Sequence, residues 1–572
     1  MPGRRVAASL RRRFTWEVPA TELLLLAAIL TFAFIFVLAH YNFFTVPPPD
    51  YFSFRAVAAS FARLELPNLF KRGPAYPALM ALGRLVAPGP DPFLTAASVI
   101  NVVAALGVLA LTYYWARPRF GRWAPLAAAM VAASSQYPLL AAMPLCEMVY
   151  LLFILAAVAT AARGTGWTYL WAGAAAATRY EALALIPFVA LCDTPNWRRR
   201  PRLIFYALLA LVPAGGWLLA GYFKTGSPNP YVDEIQALAA SGWAFPRELA
   251  ASLFEPTKPA SWVVTGVFAA VTLVGLVRIA ARGRPGERAF LAFAVVYTLI
   301  HVVFPFSFRR FVFPIWPILV FGFLEGGAAI GSLAAKMRMG RSWYVVAGAL
   351  FGALAAGLVW RLGISRAGSA VTLFFVGVVP LAGLAACAWW GFSGRRFGPG
   401  RSAALAAVVA ALALFVDSGV RVFRLERESI RYHRASVKSA ALWLARAAGR
   451  TGVVVATDEG LFDYYFGADG PRASRPGAFR TADFALFTVR ARRVGVSYVC
   501  YDSLSGDDPD AYFAKSAGAA LLQPLGVGCD VGRDCYYVAK VETPGEYVYV
   551  YRLAAEPRRW KPAKWPGEEE EG

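Results

Sequence analysis

The sequence predicts a polytopic α-helical membrane protein of about thirteen spans, counted by the length a bilayer demands, with a small soluble α/β domain at its C-terminal end on the outer side. Three observations carry this reading. Of 572 residues, 58% are hydrophobic and only 16% charged, with a mean hydropathy of +0.49. A soluble domain is nearer half apolar and about a quarter charged. Long apolar runs recur through most of the chain, and arginines gather between them, as in cytoplasmic loops. This balance excludes a soluble enzyme, a disordered tail protein and a disulfide-rich secreted module. The net charge of +23 would suggest nucleic acid in a soluble chain. Here the loop arginines account for it, and no nucleic-acid partner is expected. Six cysteines in this length make no disulfide framework, and three histidines argue against a histidine-rich metal site.

Residues 1–19, with Arg4, Arg5, Arg11, Arg12 and Arg13, read as a basic cytoplasmic N-terminus. The apolar run at 20–42 is long and no small-residue cleavage pattern follows, so it reads as a span and not a cleaved signal peptide. Within a membrane domain of 20–418, further spans are expected near 94–115, 124–142, 147–163, 203–223, 261–281, 288–306, 311–335, 343–361, 370–390 and 402–418. Basic clusters at Arg117–Arg122, Arg198–Arg202, Arg282–Arg288, Lys336–Arg341 and Arg395–Arg401 all call for the cytoplasm. They agree with one another only if 167–191 crosses twice or not at all. Thr178-Arg179-Tyr180-Glu181 sits at the middle of that segment. A charge at the bilayer centre costs about 2.5–3.5 kcal/mol. The segment is therefore read as two short helices meeting at these residues, a dip whose tip faces a wet cavity.

Two pieces then fall outside the membrane. In the first outer loop, 43–93, Phe54, Val57, Ala58, Phe61 and Leu64 recur at helical spacing. That fits a helix lying on the membrane surface or one packed against the spans. The second piece, 419–556, reads as an α/β domain. It has a helix at 436–448, with Val437, Ala441, Leu444 and Ala445 on one face, and another near 509–519. Strands are expected at 453–455, 496–501, 536–541 and 547–551. Cys529 and Cys535 are a candidate disulfide on an oxidising face. Residues 557–572 read as a flexible tail. No internal repeat is found.

Candidate chemistry lies on the outward side. Asp50 follows three prolines, Pro47, Pro48 and Pro49, and an acid fixed at a cavity mouth can take a proton from an acceptor hydroxyl. A solvated loop aspartate is the plain alternative. Lys71 and Arg72 precede a tight Gly73-Pro74 turn, and cations on an outer loop break the positive-inside trend. Glu147 opens the fourth span, where the helix dipole alone would favour it. Arg179, Tyr180 and Glu181 mark the dip, and intramembrane charges are functional candidates. A self-shielding Arg–Glu pair is the alternative. Arg309 and Arg310 sit at another outer end, and guanidinium groups bind phosphate in two-point fashion. Together, acids and arginines on one side supply what is needed to move a sugar from a lipid phosphate: a base for the hydroxyl and cations for the departing phosphate.

The order of these motifs resembles the GT-C superfamily of polyprenyl-phosphate-sugar-dependent glycosyltransferases. The nearest likeness is to its protein-mannosyltransferase and aminoarabinose-transferase branch. Asp50 matches the family's acid after the first span. Gly73-Pro74-Ala75-Tyr76-Pro77-Ala78-Leu79 matches its Pro-x-Tyr-Pro type segment. Cys146-Glu147 stands where the family often has Ser-Glu, Gly173–Pro187 matches its half-helix, apex and half-helix, and Arg310-Phe311-Val312-Phe313-Pro314 replaces tyrosine with phenylalanine in an Arg-Tyr-x-x-Pro segment. The paired Asp-Glu of many protein mannosyltransferases is missing, because Tyr51 follows Asp50. The likeness covers about 20–320, and the last spans and tail match in layout only.

The resemblance implies a GT-C-like bundle and an inverting transfer from a polyprenyl-phosphate sugar to an acceptor hydroxyl on a lipid, glycan or protein, at the extracytoplasmic face of a multi-pass cell membrane. It implies Asp50 as general base and Glu147 as the residue orienting the acceptor, the two being the ligands of a divalent cation if one is used. It implies Arg179, Arg309, Arg310, Lys71 and Arg72 around the donor phosphate, and Tyr51, Tyr76, Tyr180 and Glu181 around sugar or acceptor. A transporter or flippase of a lipid-linked or anionic substrate is the main alternative, since broken helices and intramembrane charges occur there too. A non-catalytic scaffold is a third.

Overall fold

The computed structural model describes chiefly residues 19–39, 46–134 (90 excepted), 136–161, 165–197, 201–226, 259–303 and 309–336, then 435–474 and 490–502 with short gaps, 522–524 and 548–553. The spans expected at 343–361, 370–390 and 402–418, the helix near 509–519, the strand at 536–541, Cys529 with Cys535, the basic N-terminus and the tail 557–572 lie outside the described residues. Two compact units emerge. One comprises Met1–Asn42 with Ser53–Arg424, the other Phe43–Phe52 with Leu425–Gly572.

The first unit is helical. Its elements are α1 (Ala20–Ala39), α2 (Pro49–Ala62, the first turn counting with the other unit), α3 (Ala75–Gly83), α4 (Pro92–Phe120), α5 (Ala124–Ala132) and α6 (Gln136–Ala142). There follow α7 (Glu147–Thr160), α8 (Trp167–Thr178), α9 (Leu185–Trp197), α10 (Arg202–Thr225), α11 (Pro259–Arg282), α12 (Pro285–Val303) and α13 (Trp316–Lys336). Short 3-10 turns cover Tyr180–Ala184, Arg309–Phe311 and Phe313–Ile315. Among the described residues, three helical stretches are long and apolar enough to cross a membrane: Pro92–Phe120, Arg202–Thr225 and Phe313–Ile330. The pair α6 and α7, bent by 112°, would make a fourth. The figure of about thirteen rests on the sequence reading alone.

Local chemistry sets the helix ends. Asp91 caps α4, its Oδ1 accepting from the backbone N–H groups of Phe93 at 3.2 Å and Leu94 at 3.3 Å, with proline in the first helical position. The stretch 124–142, expected as one span, is two helices. The chain breaks at Ala133–Ser134, and Ser134 Oγ accepts the N–H of Gln136 at 3.3 Å to start α6. Hydropathy is blind to such a break because both halves are equally apolar. In α2, Phe54, Val57 and Ala58 are buried, while Leu64 lies beyond the helix at φ 58° and 98% exposed. Leu64 therefore does not share the buried face that its spacing suggested. The backbones of α11 and α13 meet at Gly275, Gly322 and Gly326: a Cβ added at Gly275 or Gly326 would strike main chain, and one at Gly322 the Leu276 side chain.

A buried ion network ties α4, α11, α12 and α13. Arg119 reaches Glu287 at 2.5 Å and Glu325 at 2.9 Å, Arg278 reaches Glu325 at 2.9 Å, and the N–H of Arg284 donates to Glu287 at 2.9 Å. Near it, Tyr113 and Arg117 of α4 donate to Glu22 of α1 at 2.8 and 3.1 Å.

The second unit is α/β. It contains α14 (Ala435–Ala447), β1 (Val453–Ala456), α15 (Glu459–Phe466), β2 (Arg472–Ser474), β3 (Val496–Asp502), β4 (Leu522–Pro524) and β5 (Val548–Leu553). The sheet order is β2-β1-β3-β5-β4, with β1 parallel to β2 and β3, and β5 antiparallel to β3 and β4. Val437, Ala441 and Leu444 of α14 pack with Val454, Ala456, Leu461 and Phe462, and Val46 and Phe52 join this core. The sequence reading missed α15, β2 and β4. The two strands are three residues each, too short to show an alternating pattern.

Candidate active site

Helix α8 is rich in alanine and glycine, and Gly173 lets it close on the backbone of α10 at Ala210. It ends at Thr178, whose hydroxyl turns back to the carbonyl of Ala174 at 2.8 Å. Arg179 is extended (φ −145°, ψ 130°), and a 3-10 turn follows before α9 begins. This break projects the Arg179 guanidinium against two carboxylates. Its Nη2 reaches Glu181 Oε1 at 2.7 Å, its Nε reaches Glu181 Oε2 at 3.5 Å, and its Nη1 reaches Glu147 Oε1 at 3.2 Å. Three of its five N–H groups are thereby committed. Arg310 Nε approaches the same Glu147 oxygen at 3.7 Å. The Phe311 ring lies under both guanidiniums, 5.0 Å from Arg179 and 5.3 Å from Arg310, and the Tyr150 ring is 5.8 Å from Arg179.

Glu147 is held by a bend. Asn101, fully buried on α4, donates from Nδ2 to the carbonyls of Met143 and of Leu145, the latter at 2.8 Å. These carbonyls lie in the joint between α6 and α7, so the amide sets where α7 begins. Glu147 is 3% exposed, and its Oε2 has no hydrogen-bond partner among the described residues. The same is true of the hydroxyls of Tyr150 and Tyr297, and Tyr297 is within electrostatic reach of Arg179, Glu181 and Glu147. Buried polar atoms are rarely left this way without a purpose.

The structure gathers Glu147, Arg179, Glu181 and Arg310 in one cluster. Tyr76 is buried beside Cys146 and Glu147; burial pushes its phenol well above the usual range, and those two neighbours add to the effect. Lys71 and Arg72 lie on the loop before α3, where Gly73 packs against the carbonyls of Ala177 and Thr178 at the end of α8. Arg72 Nε donates to Ser53 Oγ at 2.9 Å, and its guanidinium rests 5.1 Å from the Phe54 ring. Tyr180 donates to the carbonyl of Phe70 at 2.8 Å, which ties it to this loop. Arg309 stands in the 3-10 turn beside Arg310, and its side chain lies outside the described residues. Asp50 and Tyr51 belong to the second unit. Asp50 is half-buried in the first turn of α2, and Tyr51 is buried edge-on to Phe52 and Tyr464.

Three contributors escaped the sequence reading. His301 on α12 has Nε2 4.0 Å from Glu181, with Nδ1 donating to the carbonyl of Tyr297 at 2.9 Å. Asn101 and Phe311 are the others. The signal for Asn101 was present, as an amide inside an apolar run. Phe311 entered the sequence reading only as the phenylalanine in place of tyrosine in the Arg-Tyr-x-x-Pro segment; its place under two guanidiniums was not foreseen. Among the described residues no three His, Cys, Asp or Glu side chains gather to hold a metal ion.

No family model matches the chain, and no curated protein matches it. Solved structures do. The crystal structure of ArnT from Cupriavidus metallidurans bound to undecaprenyl phosphate matches with a TM-score of 0.55 at 15% identity, over 95% of this chain and 100% of that one. The apo state of the same protein matches with a TM-score of 0.55 at 14% identity, over 92% and 97%. The chain shares its fold with these structures.

Proposed function

We propose that this chain is an inverting glycosyltransferase that moves a sugar from a polyprenyl phosphate to an acceptor hydroxyl on the extracytoplasmic side. The observation that carries the proposal is the convergence of Glu147, Arg179, Glu181 and Arg310 at a helix break in the bundle, with a buried carboxylate oxygen left over. Charges are costly in a membrane and are retained for use. ArnT, whose fold the chain shares, has been crystallised with undecaprenyl phosphate. That likeness supports a lipid-phosphate donor.

In the reaction, the acceptor O–H gives its proton to a carboxylate as its oxygen bonds to the anomeric carbon from the side opposite the phosphate. The carbon–oxygen bond to phosphate breaks, the electron pair leaves with polyprenyl phosphate, and the configuration inverts. Asp50 takes the base role through its match to the family's first-loop acid. Glu147 orients the acceptor through Oε2. Arg310, Arg309, Lys71 and Arg72 hold the phosphate as charge grows on it. Arg179 faces two carboxylates, so its first task is to neutralise them; its two remaining N–H groups can reach the phosphate. A lipid phosphate is a good leaving group, so positioning of the base outweighs its basicity.

The test is incubation of the purified full chain with a panel of polyprenyl-phosphate sugars, scoring released polyprenyl phosphate with and without chelator. Asp50→Asn should lower turnover by about 100-fold or more while leaving donor binding within about twofold, the scatter of a surface substitution. Near-normal turnover in that variant removes Asp50 from the role. The helix breaks at Arg179 and between α6 and α7 also suit a transporter. Movement of intact lipid-linked sugar with no bond cleavage would establish that reading instead.

A further inference from the structure

The cation pair Lys71–Arg72 stands on a loop whose main chain is held from several sides. Four of its carbonyls are taken by side-chain donors. Lys224 Nζ reaches the carbonyls of Leu66 at 2.9 Å and Pro67 at 3.1 Å. The Tyr180 hydroxyl donates to Phe70 at 2.8 Å, and the Trp217 indole Nε1 donates to Arg72 at 2.9 Å. Trp217 sits on α10, 8% exposed, with its ring 4.7 Å from Phe70 and 5.5 Å from Phe61. Gly221, one turn further along α10, leaves room for the Phe70 ring, and Gly73 lets the loop press on the carbonyls that end α8. An irregular loop of this length would ordinarily move. Here each restraint comes from the two elements that flank the Arg179 break, α8–α9 and α10.

We propose that Trp217, seconded by Tyr180, is a positioning residue that fixes the Lys71–Arg72 backbone so that the two cations meet an anionic lipid phosphate already arranged. This rests on the donor assignment made above. The physical reason is preorganisation. Two flexible cationic side chains on a wandering loop would lose ordering entropy on each binding event, and a held backbone removes part of that cost beforehand. The indole N–H is suited to the task, because it donates without accepting and its ring is buried against Phe70, so the bond has one orientation.

Binding of undecaprenyl phosphate to the purified full chain, titrated by native mass spectrometry, tests the proposal. Trp217→Phe keeps the ring and removes the N–H. Its dissociation constant should rise about fivefold to thirtyfold, the worth of one buried hydrogen bond, since the Tyr180 hydroxyl, 3.5 Å from the same carbonyl, is a weak substitute donor. Tyr180→Phe, which frees the Phe70 carbonyl, should move the same way and serves if the tryptophan variant fails to fold. The decisive arm is the background Lys71→Ala with Arg72→Ala, in which the effect of Trp217→Phe should vanish because the residue acts through that pair. A Trp217→Phe variant that binds like wild type, or one that weakens binding by the same factor in the alanine background, overturns the proposal. Absence of binding by the wild-type chain instead overturns the donor assignment beneath it.

Discussion

Toward the C-terminal end of α4, Arg119 and Arg278 hold Glu287 and Glu325 at 2.5 to 2.9 Å. At the break after α8, Arg179 and Arg310 face Glu147 and Glu181, but the contacts to Glu147 run to 3.2 and 3.7 Å. Both networks contain two guanidiniums and two carboxylates, so both are neutral in sum. Asn101, which binds the carbonyl two residues before Glu147, and Arg119 are separated by 18 positions on α4, about 27 Å of helix at 1.5 Å per residue. The Arg119 network joins regular helix ends, and the N–H of Arg284 adds to the satisfaction of Glu287. The Arg179 network sits among 3-10 turns, ring faces and hydroxyls without partners among the described residues. The first network is a fastening, though it also leaves one carboxylate oxygen, Glu287 Oε1, without a hydrogen-bond partner among the described residues. What sets the second apart is its longer contacts and the unpartnered hydroxyls of Tyr150 and Tyr297 beside it, which leave capacity for a ligand.

Substitutions can break or sharpen this contrast. The largest effect is expected at the fastening: Arg119→Ala leaves buried Glu287 without a guanidinium and Glu325 with Arg278 alone, and should cost about 3–5 kcal/mol of stability, read as a lowered melting temperature in detergent. Glu147→Gln comes next. It should cut sugar transfer by about 100-fold or more with a melting temperature close to wild type, and a large loss of stability with activity per folded molecule intact would put Glu147 in the fastening class instead. Gly73→Ala follows at about 1–3 kcal/mol, since the new Cβ meets main chain at Ala177 and Thr178; unchanged donor affinity there would show that the loop tolerates displacement. The smallest is Phe311→Leu, which removes the ring beneath two guanidiniums and should weaken donor binding by about 1–2 kcal/mol, with Phe311→Tyr near wild type. Equal behaviour of the leucine and tyrosine variants would leave the ring without a part in binding.

Much of the candidate cluster was legible in the sequence because charge is conspicuous in an apolar run. Arg179, Glu181, Glu147 and Arg310 were found this way, and the interruption of 167–191 at Arg179 followed from the cost of burying that charge. The halves of the α/β unit with long strands, β3 and β5, showed their β-branched and aromatic pattern, whereas three-residue β2 and β4 could not. Bends were not legible. The joint at Ala133–Ser134 depends on one serine hydroxyl, and that between α6 and α7 depends on an amide 42 to 44 positions away. Aromatic partnership was equally hidden: the role of Phe311 exists only once Arg179, from the break after α8, meets the 3-10 turn that carries Arg310 and Phe311.

The amide of Asn101 also gives α7 a fixed starting phase. Each residue of an α-helix turns the chain by about 100°. A single codon gained or lost between Leu145 and Glu147 would therefore leave the carbonyl anchored and rotate the acid about a quarter-turn away from Arg179. Length variation among relatives of this chain should avoid that joint, even where neighbouring segments grow and shrink freely.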